Sequence, residues 1–353
     1  MTKKGEKQAE EKLKPLKKPP KEAIKSVQMD LFRNFIANDL SEVSNTVEFW
    51  ESIPKYFLNE KQQQKKREPS GLAKPFDYPY SLRNKAGELL PYKVRISPAL
   101  IEQSDGNFKA FFPTKTEENI EEVLKKIFTE QNGGIHDPKN LETWVKFSYS
   151  MLRKELTRLG CGLRYDQIKH SLEIMSGCVL TVYEDSEQIY KGAILQNYCS
   201  VNRREYLNDT EALHVAQLPV FISRAINMLE YRQFNYKRFM GCGEQLTRFI
   251  YKRLINRFVN ANFLNDYHFL YSDIKQGSGL LLKQNERDNR AKVISALEEL
   301  KAALIIMEYH TEERRDGRSI ADVKYTVKAH PDFIAEQKAA NKRAQIRELK
   351  SLK

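Results

Sequence analysis

Residues 231–328 decide how this chain is read. They open with YRQFNYKRFM (231–240) and run on through QLTRFIYKRLINRF (245–258) and ERDNRAKVISALEELK (286–301). They close with two β-rich runs on either side of a charged turn at Gly317. A supporting helix, a short second helix, a third helix and a hairpin, in that order, predict a winged helix, a fold that sets its third helix into the major groove of DNA. In 286–301, Val293, Leu297 and Leu300 recur at i, i+4 and i+7 and predict one buried stripe. At about 100° per residue, the opposite face carries Arg287, Asp288, Ala291, Lys292 and Ser295, with Arg290 on its flank. Arginine pairs bidentately with guanine and asparagine with adenine, at about 1–3 kcal/mol of discrimination each. Arg287, Arg290 and Asn289 are therefore candidate readers, and the small Ala291 and Ser295 would let the face approach a groove floor. An ordinary solvated helix face is the alternative reading of the same residues.

The hairpin tip reads Glu312-Glu313-Arg314-Arg315-Asp316-Gly317-Arg318. Arg314, Arg315 and Arg318 suit phosphate or a minor groove, while the two glutamates suit a merely soluble tip. Upstream, Arg232, Tyr236, Lys237, Arg238, Lys252 and Arg253 interleave basic with aromatic side chains. Phosphate positioning is their expected role, with Tyr236 equally at home in a core.

The same order of elements occurs once before. Thr114 and Glu117 form a capping box ahead of a helix over about 117–131, in which Ile120, Val123, Leu124 and Ile127 keep helical phase. Two more helices follow, over about 148–159 and 165–176. CVLTVYED (178–185) and QIYKGAILQNY (188–198) then read as two strands. The outward face of 165–176 holds Asp166, Lys169, His170 and Glu173. It is mixed in sign, so weaker base reading is expected, with Lys169 as its candidate contact. Before this unit, LPYKVRISPALI (90–101) and FKAFFP (108–113) read as strands, and EKQQQKKREPSG (60–71) as a linker or exposed loop.

Residues 1–27 contain nine lysines, four glutamates and three prolines and no apolar face to bury. They read as a disordered basic tail, either adding nonspecific DNA affinity or merely solubilising. Gln28, Met29, Asp30, Leu31 and Phe32 follow at once. The pentapeptide resembles the motif by which bacterial replication proteins dock on the sliding clamp. Packing of Leu31 and Phe32 with Phe35 and Ile36 on a small helix is the competing reading.

A formal charge of +12 points to polyanionic partners, of which nucleic acid is the commonest. Cys161, Cys178, Cys199 and Cys242 have neither C-x-x-C spacing nor a histidine at zinc-ligand distance, so reduced thiols and no metal are expected. The longest apolar runs, such as ALIIM (303–307), fall far short of the roughly 20 residues that a membrane span needs. There is no G-x-x-x-x-G-K-[ST] phosphate loop. The six histidines include no His-x-His or His-x-x-x-His pair. No catalytic residue and no cofactor are expected.

Longer blocks carry a family resemblance. SNTVEFWESIPKYF (44–57), FFPTKTEENIEEVLKKI (111–127), RYDQIKHSLEIM (164–175), NMLEYRQFNYKRFM (227–240), QLTRFIYKRL (245–254), ERDNRAKVISALEELK (286–301), DVKYTVKAHPDFI (322–334) and KAANKRA (338–344) occur in order. The chain resembles the initiator (Rep) proteins of theta-replicating broad-host-range plasmids, of the TrfA-like and RepA-like kind. FFPTKTEE departs from that pattern, which has a Gly and more basic residues there. The resemblance implies binding of repeated origin sites (iterons) as a monomer, and a dimer, formed through the first domain, that is inactive for initiation and often represses its own gene. It also implies contacts with the host initiator, the replicative helicase and the sliding clamp, in a bacterial cytoplasm.

The expected fold is therefore α+β and mainly helical, with two tandem winged-helix domains. The expected divisions are a disordered basic tail with the docking peptide (1–40), a helical segment and linker (41–84), a first winged helix (85–216), a second that reads DNA (217–331) and a basic C-terminal helix (332–353). A winged-helix transcriptional repressor is the rival function.

Overall fold

The computed structural model describes residues 43–83, 88–130, 134–200, 213–228 and 230–351. The basic tail and the peptide from Gln28 to Phe32 lie outside the described residues. Helix makes up 42% and strand 32%, so the chain is mixed α/β rather than mainly helical. Much of the added strand comes from aromatic and β-branched runs flanking the first set of helices.

The described residues open with β1 (Val43–Thr46), α1 (Glu48–Ser52) and α2 (Glu60–Lys66). The run read as a linker is thus partly helical. Asn59 and Gln62 form a reciprocal capping box at its start. Gln63 turns inward and accepts from the backbone N–H of Phe112 at 3.1 Å, so a helix without an apolar stripe is still anchored. Next come β2 (Phe76–Arg83), β3 (Leu89–Ser97), β4 (Ala99–Glu102) and β5 (Phe108–Phe111). They are followed by α3 (Lys115–Glu130), β6 (Ile135–Asp137), β7 (Glu142–Phe147), α4 (Tyr149–Arg158), α5 (Tyr165–Gly177), β8 (Val179–Glu184) and β9 (Glu187–Ala193). Glu117 caps α3 as its sequence foretells, accepting from Thr114 N–H and Oγ1 at 2.7 Å. The hairpin β8–β9 does not stand alone. It joins β3 and β2 in a sheet ordered β2-β3-β8-β9. With β10 (Gln196–Ser200) and β11 (His214–Gln217), β7 belongs to a separate sheet ordered β10-β11-β7-β6.

After α6 (Val220–Asn227), β12 (Arg232–Asn235) and α7 (Tyr236–Gly241) come α8 (Gln245–Arg257), β13 (Tyr267–Leu270), α9 (Tyr271–Ser278), α10 (Glu286–Ala302), β14 (Ile306–Asp316), β15 (Ser319–Ala329) and α11 (Pro331–Ser351). Here the strand between α8 and α9, β13, pairs directly with the hairpin, in a sheet ordered β13-β15-β14. Gly279 ends α9 at φ +68° and Gly317 turns the hairpin at φ +59°, a region that only glycine enters freely.

Two hydrophobic cores result. The first takes in Trp50, Ile53, Tyr56 and Phe57 from the N-terminal segment and Ile222, Ala225 and Ile226 from α6. The first core thus includes side chains upstream of residue 84, among them Trp50, Phe57 and Tyr80, and the second takes in side chains from Phe234 onward. α11 packs along the second core through Phe333 and Ile334. β1 pairs with β12, which stitches the chain's N-terminal strand to the start of the second half.

Candidate nucleic-acid interface

Helix α10 is amphipathic in the way its spacing demands. Val293, Leu297 and Leu300 are fully buried against the second core. Glu299 fixes the helix on α8 by accepting from Gly243 N–H and Thr247 Oγ1. Asn285 caps its N-terminus, its side chain accepting from Arg287 N–H at 2.9 Å. The opposite face is open: Arg287, Asp288, Ala291, Lys292, Ser295 and Glu298 are exposed in one stripe, and Arg290 is half-buried at its edge. Among the described residues, neither Arg287 nor Lys292 has an ion-pair partner. Asp288 lies 3.4 Å from Lys283 Nζ, so part of the stripe's negative charge is already compensated. Glu286, at the helix start, is turned away from the stripe. Burial works to raise its carboxyl pKa, but hydrogen bonds from Lys275 and Tyr271 outweigh this and hold it below the usual range.

The β14–β15 hairpin projects from the same unit, with residues 311–319 all exposed. Arg315 folds back on Glu313, at 2.7 Å. Arg314 and Arg318 have no ion pair among the described residues. The hairpin therefore offers two unneutralised guanidinium groups rather than three. In the first half, Lys169 is exposed on α5. Its neighbour Asp166 is paired with Arg164 at 2.8 Å, and His170 lies edge-on to Phe111, 4.6 Å between ring centres.

Several expected contacts are engaged elsewhere. Asn289 is fully buried. It donates from Nδ2 to the Lys283 carbonyl at 2.8 Å and accepts from the Lys283 N–H at 3.1 Å, so it is no base reader. Its position was legible, because 289, 293 and 297 are spaced by four and share the buried stripe. Tyr236 is a core residue with no exposure. Arg232 donates to Gln337 and Asn341 of α11, at 2.6 and 2.9 Å. Arg238 lies 3.2 Å from Asp332 and 3.1 Å from Glu336. Both arginines thus clasp the C-terminal helix. Arg253 is 3.3 Å from Asp273, which Arg83 of β2 also grips. Of that basic-aromatic run only Lys237 is exposed.

Lys252 shows most clearly why sequence pattern failed here. α8 is buried on nearly every side, between α10 and the first half of the chain. Lys252 is bound by Glu51 of α1 and by Glu122 of α3. Lys125 binds the same two carboxylates. Glu121 accepts from Trp50 Nε1 and, at 2.7 Å, from Tyr56 OH, with Lys55 Nζ 3.9 Å away. Burial alone would raise the Glu51 carboxyl. Lys125, Lys252 and Lys55 outweigh it and hold the group far below the usual carboxylate range. Beside this cluster, fully buried Arg248 donates to Asn119 of α3 at 2.6 Å and to the carbonyls of Cys242 and Met240. The joint between the two cores is therefore ionic as well as apolar.

Among the described residues no group of three or more His, Cys, Asp or Glu side chains is placed to hold a metal ion, and no helix is long and apolar enough to cross a membrane. Sequence reasoning passed over Lys283 and Gln284, which lie exposed in the loop ahead of α10.

No family model matches the sequence, and no curated protein does. Among solved structures, the chain aligns with domains 2 and 3 of RctB at 9% identity, covering 72% of this chain and 91% of that one with a TM-score of 0.43. A second structure of RctB domains 2 and 3 aligns at 10% identity over 79% and 98%, also at 0.43. The Pi initiator protein, solved in complex with iteron DNA, aligns at 14% identity over 62% and 91%, again at 0.43.

Proposed function

We propose that the chain is a noncatalytic, sequence-specific binder of double-stranded DNA that initiates plasmid replication at repeated origin sites. The carrying observation is the open stripe of α10, where Arg287 and Lys292 stand, without ion-pair partners among the described residues, beside small Ala291 and Ser295. Both halves are read as winged-helix units, with departures in the first, whose hairpin is absorbed into a larger sheet. In the second, α10 enters the major groove and Arg314 and Arg318 grip the backbone. Phosphate neutralisation releases counterions, so affinity falls steeply with salt. Origin opening, a repressing dimer formed through the first half, and contacts with host initiator and helicase follow from the family resemblance and belong to the same proposal. So does docking on the sliding clamp through Gln28, Met29, Asp30, Leu31 and Phe32, which Leu31→Ala with Phe32→Ala should abolish in a pulldown.

Selection of bound duplexes from a randomised library, followed by gel shift, tests the core of the reading. The wild-type chain should enrich one sequence. An Arg287→Ala, Lys292→Ala double variant should bind it at least about tenfold more weakly. No enrichment, or undiminished binding by the variant, overturns the assignment. A plasmid bearing the enriched repeats and maintained only when the gene is supplied distinguishes an initiator from a repressor. Nicking of supercoiled DNA by the purified chain with a divalent metal would refute the noncatalytic reading.

A further inference from the structure

The loop between α9 and α10 is short of regular structure but not of anchors. Gly279 leads it off at φ +68°, pressed so closely on Phe57 that a Cβ there would meet the ring at 2.9 Å. Leu280 N–H bonds to Ser278 Oγ at 3.2 Å, and Leu281 is sunk in the second core. From Leu282 the backbone turns outward. Leu282, Lys283, Gln284 and Asn285 are all exposed, immediately before the DNA-facing end of α10. Such a segment should wander, yet Lys283 is gripped at both its N–H and its C=O by the Asn289 side chain from beneath. The pair of bonds mimics one rung of a β-ladder, with a side-chain amide in place of the second strand.

An asparagine is an odd choice for a buried position on the apolar stripe of a helix. A leucine would bury more apolar surface and cost less to desolvate. Lys283 is exposed as a residue, but the two bonds themselves are partly buried, so losing them would cost some stability. They also set geometry: they hold the backbone that carries Lys283 and Gln284 at one place relative to Arg287.

We infer that Asn289 is a positioning residue, which fixes the loop from Leu282 to Asn285 as a second DNA-contacting element alongside α10. The inference rests on the reading of α10 as the DNA-reading helix. Lys283, which in the free chain reaches Asp288 at 3.4 Å across an exposed pair, would exchange that partner for a phosphate. Gln284 supplies an amide with the donor and acceptor that adenine presents in mirror image. Pre-ordering the loop removes entropy that binding would otherwise have to spend on it, and for the one residue gripped at both backbone groups this amounts to roughly tenfold in affinity.

The test uses the full chain and the duplex enriched by the wild type, with a scrambled duplex for nonspecific affinity. Asn289→Leu keeps the branching and heavy-atom count of the side chain, at greater bulk, and removes both bonds. Its affinity for the enriched duplex should fall about tenfold and for the scrambled duplex by less, since only the phosphate contact is shared, and Gln284→Ala should relax preference at one base position. Asn289→Asp keeps the acceptor for Lys283 N–H and should retain more of the preference than leucine does. Exchange of the Lys283 amide, followed by NMR in the free wild-type chain, reads the clamp without any substitution and stands even where a variant fails to fold. A protected amide supports the clamp, and exchange at the rate of an open loop overturns it. Equal discrimination by Asn289→Leu and wild type, while the Arg287→Ala, Lys292→Ala variant loses binding, overturns the positioning role and leaves the DNA reading intact. Undiminished binding by that double variant defeats the DNA reading itself.

Discussion

Replacing Lys252 by alanine would remove a buried charge from the joint between the two cores. In the wild type, Glu51, Glu121 and Glu122 are balanced by Lys55, Lys125 and Lys252, with side chains at most 10% exposed. Lys125 remains beside Glu51 and Glu122 in the variant, so one carboxylate's worth of charge is left uncompensated rather than two. Removing one partner of a buried pair costs about 3–5 kcal/mol, and shared pairing with Lys125 places this case near the lower end. For a unit of 150–250 residues, about 3 kcal/mol lowers Tm by roughly 6–12 °C. The pH dependence carries a sign. A carboxylate with a depressed folded pKa contributes stability that is present above its unfolded value, about 4.3 for glutamate, and lost as pH falls through the folded one. Glu51 is such a group, and deleting Lys252 removes part of what depresses it. The Tm gap between variant and wild type should therefore be widest near pH 7 and shrink toward pH 4, where the stranded carboxylate can take up a proton. Scanning calorimetry on both chains at several pH values measures this directly. A gap under about 2 °C, or one that does not change with pH, would refute the claim that Lys252 is a buried structural charge.

Arg314→Ala with Arg318→Ala should weaken binding to all duplexes alike and flatten the dependence of log K on log salt by about two, without altering the enriched sequence; a salt titration by fluorescence anisotropy measures it, and an unchanged slope would remove the hairpin from the contact surface. Tyr236→Ala empties a fully buried site and should cost about 3–5 kcal/mol in denaturant unfolding, whereas a loss of DNA affinity without a loss of stability would return Tyr236 to the interface. Gly279→Ala places a Cβ at 2.9 Å from the Phe57 ring at φ +68°. It should destabilise by more than the roughly 1 kcal/mol that a compatible Gly-to-Ala change gains, and a rise in Tm would show that Phe57 yields easily.

Much of the second half was written in local pattern. Spacing at four and three marked Val293, Leu297 and Leu300 as the inner stripe of α10, and Arg287, Lys292 and Ser295 as the outer one. Gly317 marked the hairpin turn, and Thr114 with Glu117 marked the start of α3. These features depend on neighbours within a few residues, and a helix or a turn reports such neighbours in the order of its letters. Asn289 was equally legible by spacing, but its residue type suggested a base contact, and type was followed over phase.

The roles of Lys252, Arg232, Arg238 and Arg253 were decided elsewhere. Each meets partners distant in sequence: Glu51 and Glu122 for Lys252, α11 for Arg232 and Arg238, Asp273 with Arg83 for Arg253. A charged side chain reads as surface because burying it alone is prohibitive. It ceases to be surface once folding delivers an opposite charge to it, and no periodicity within a single helix records that delivery. The pairing of β8–β9 with β3, and of β7 with β11, has the same origin. Hydrogen-bond partners across a sheet are chosen when the layers pack, so the sequence by itself determined the elements and their inner faces, while only the tertiary structure determined which charges stayed exposed and which were drawn into pairs.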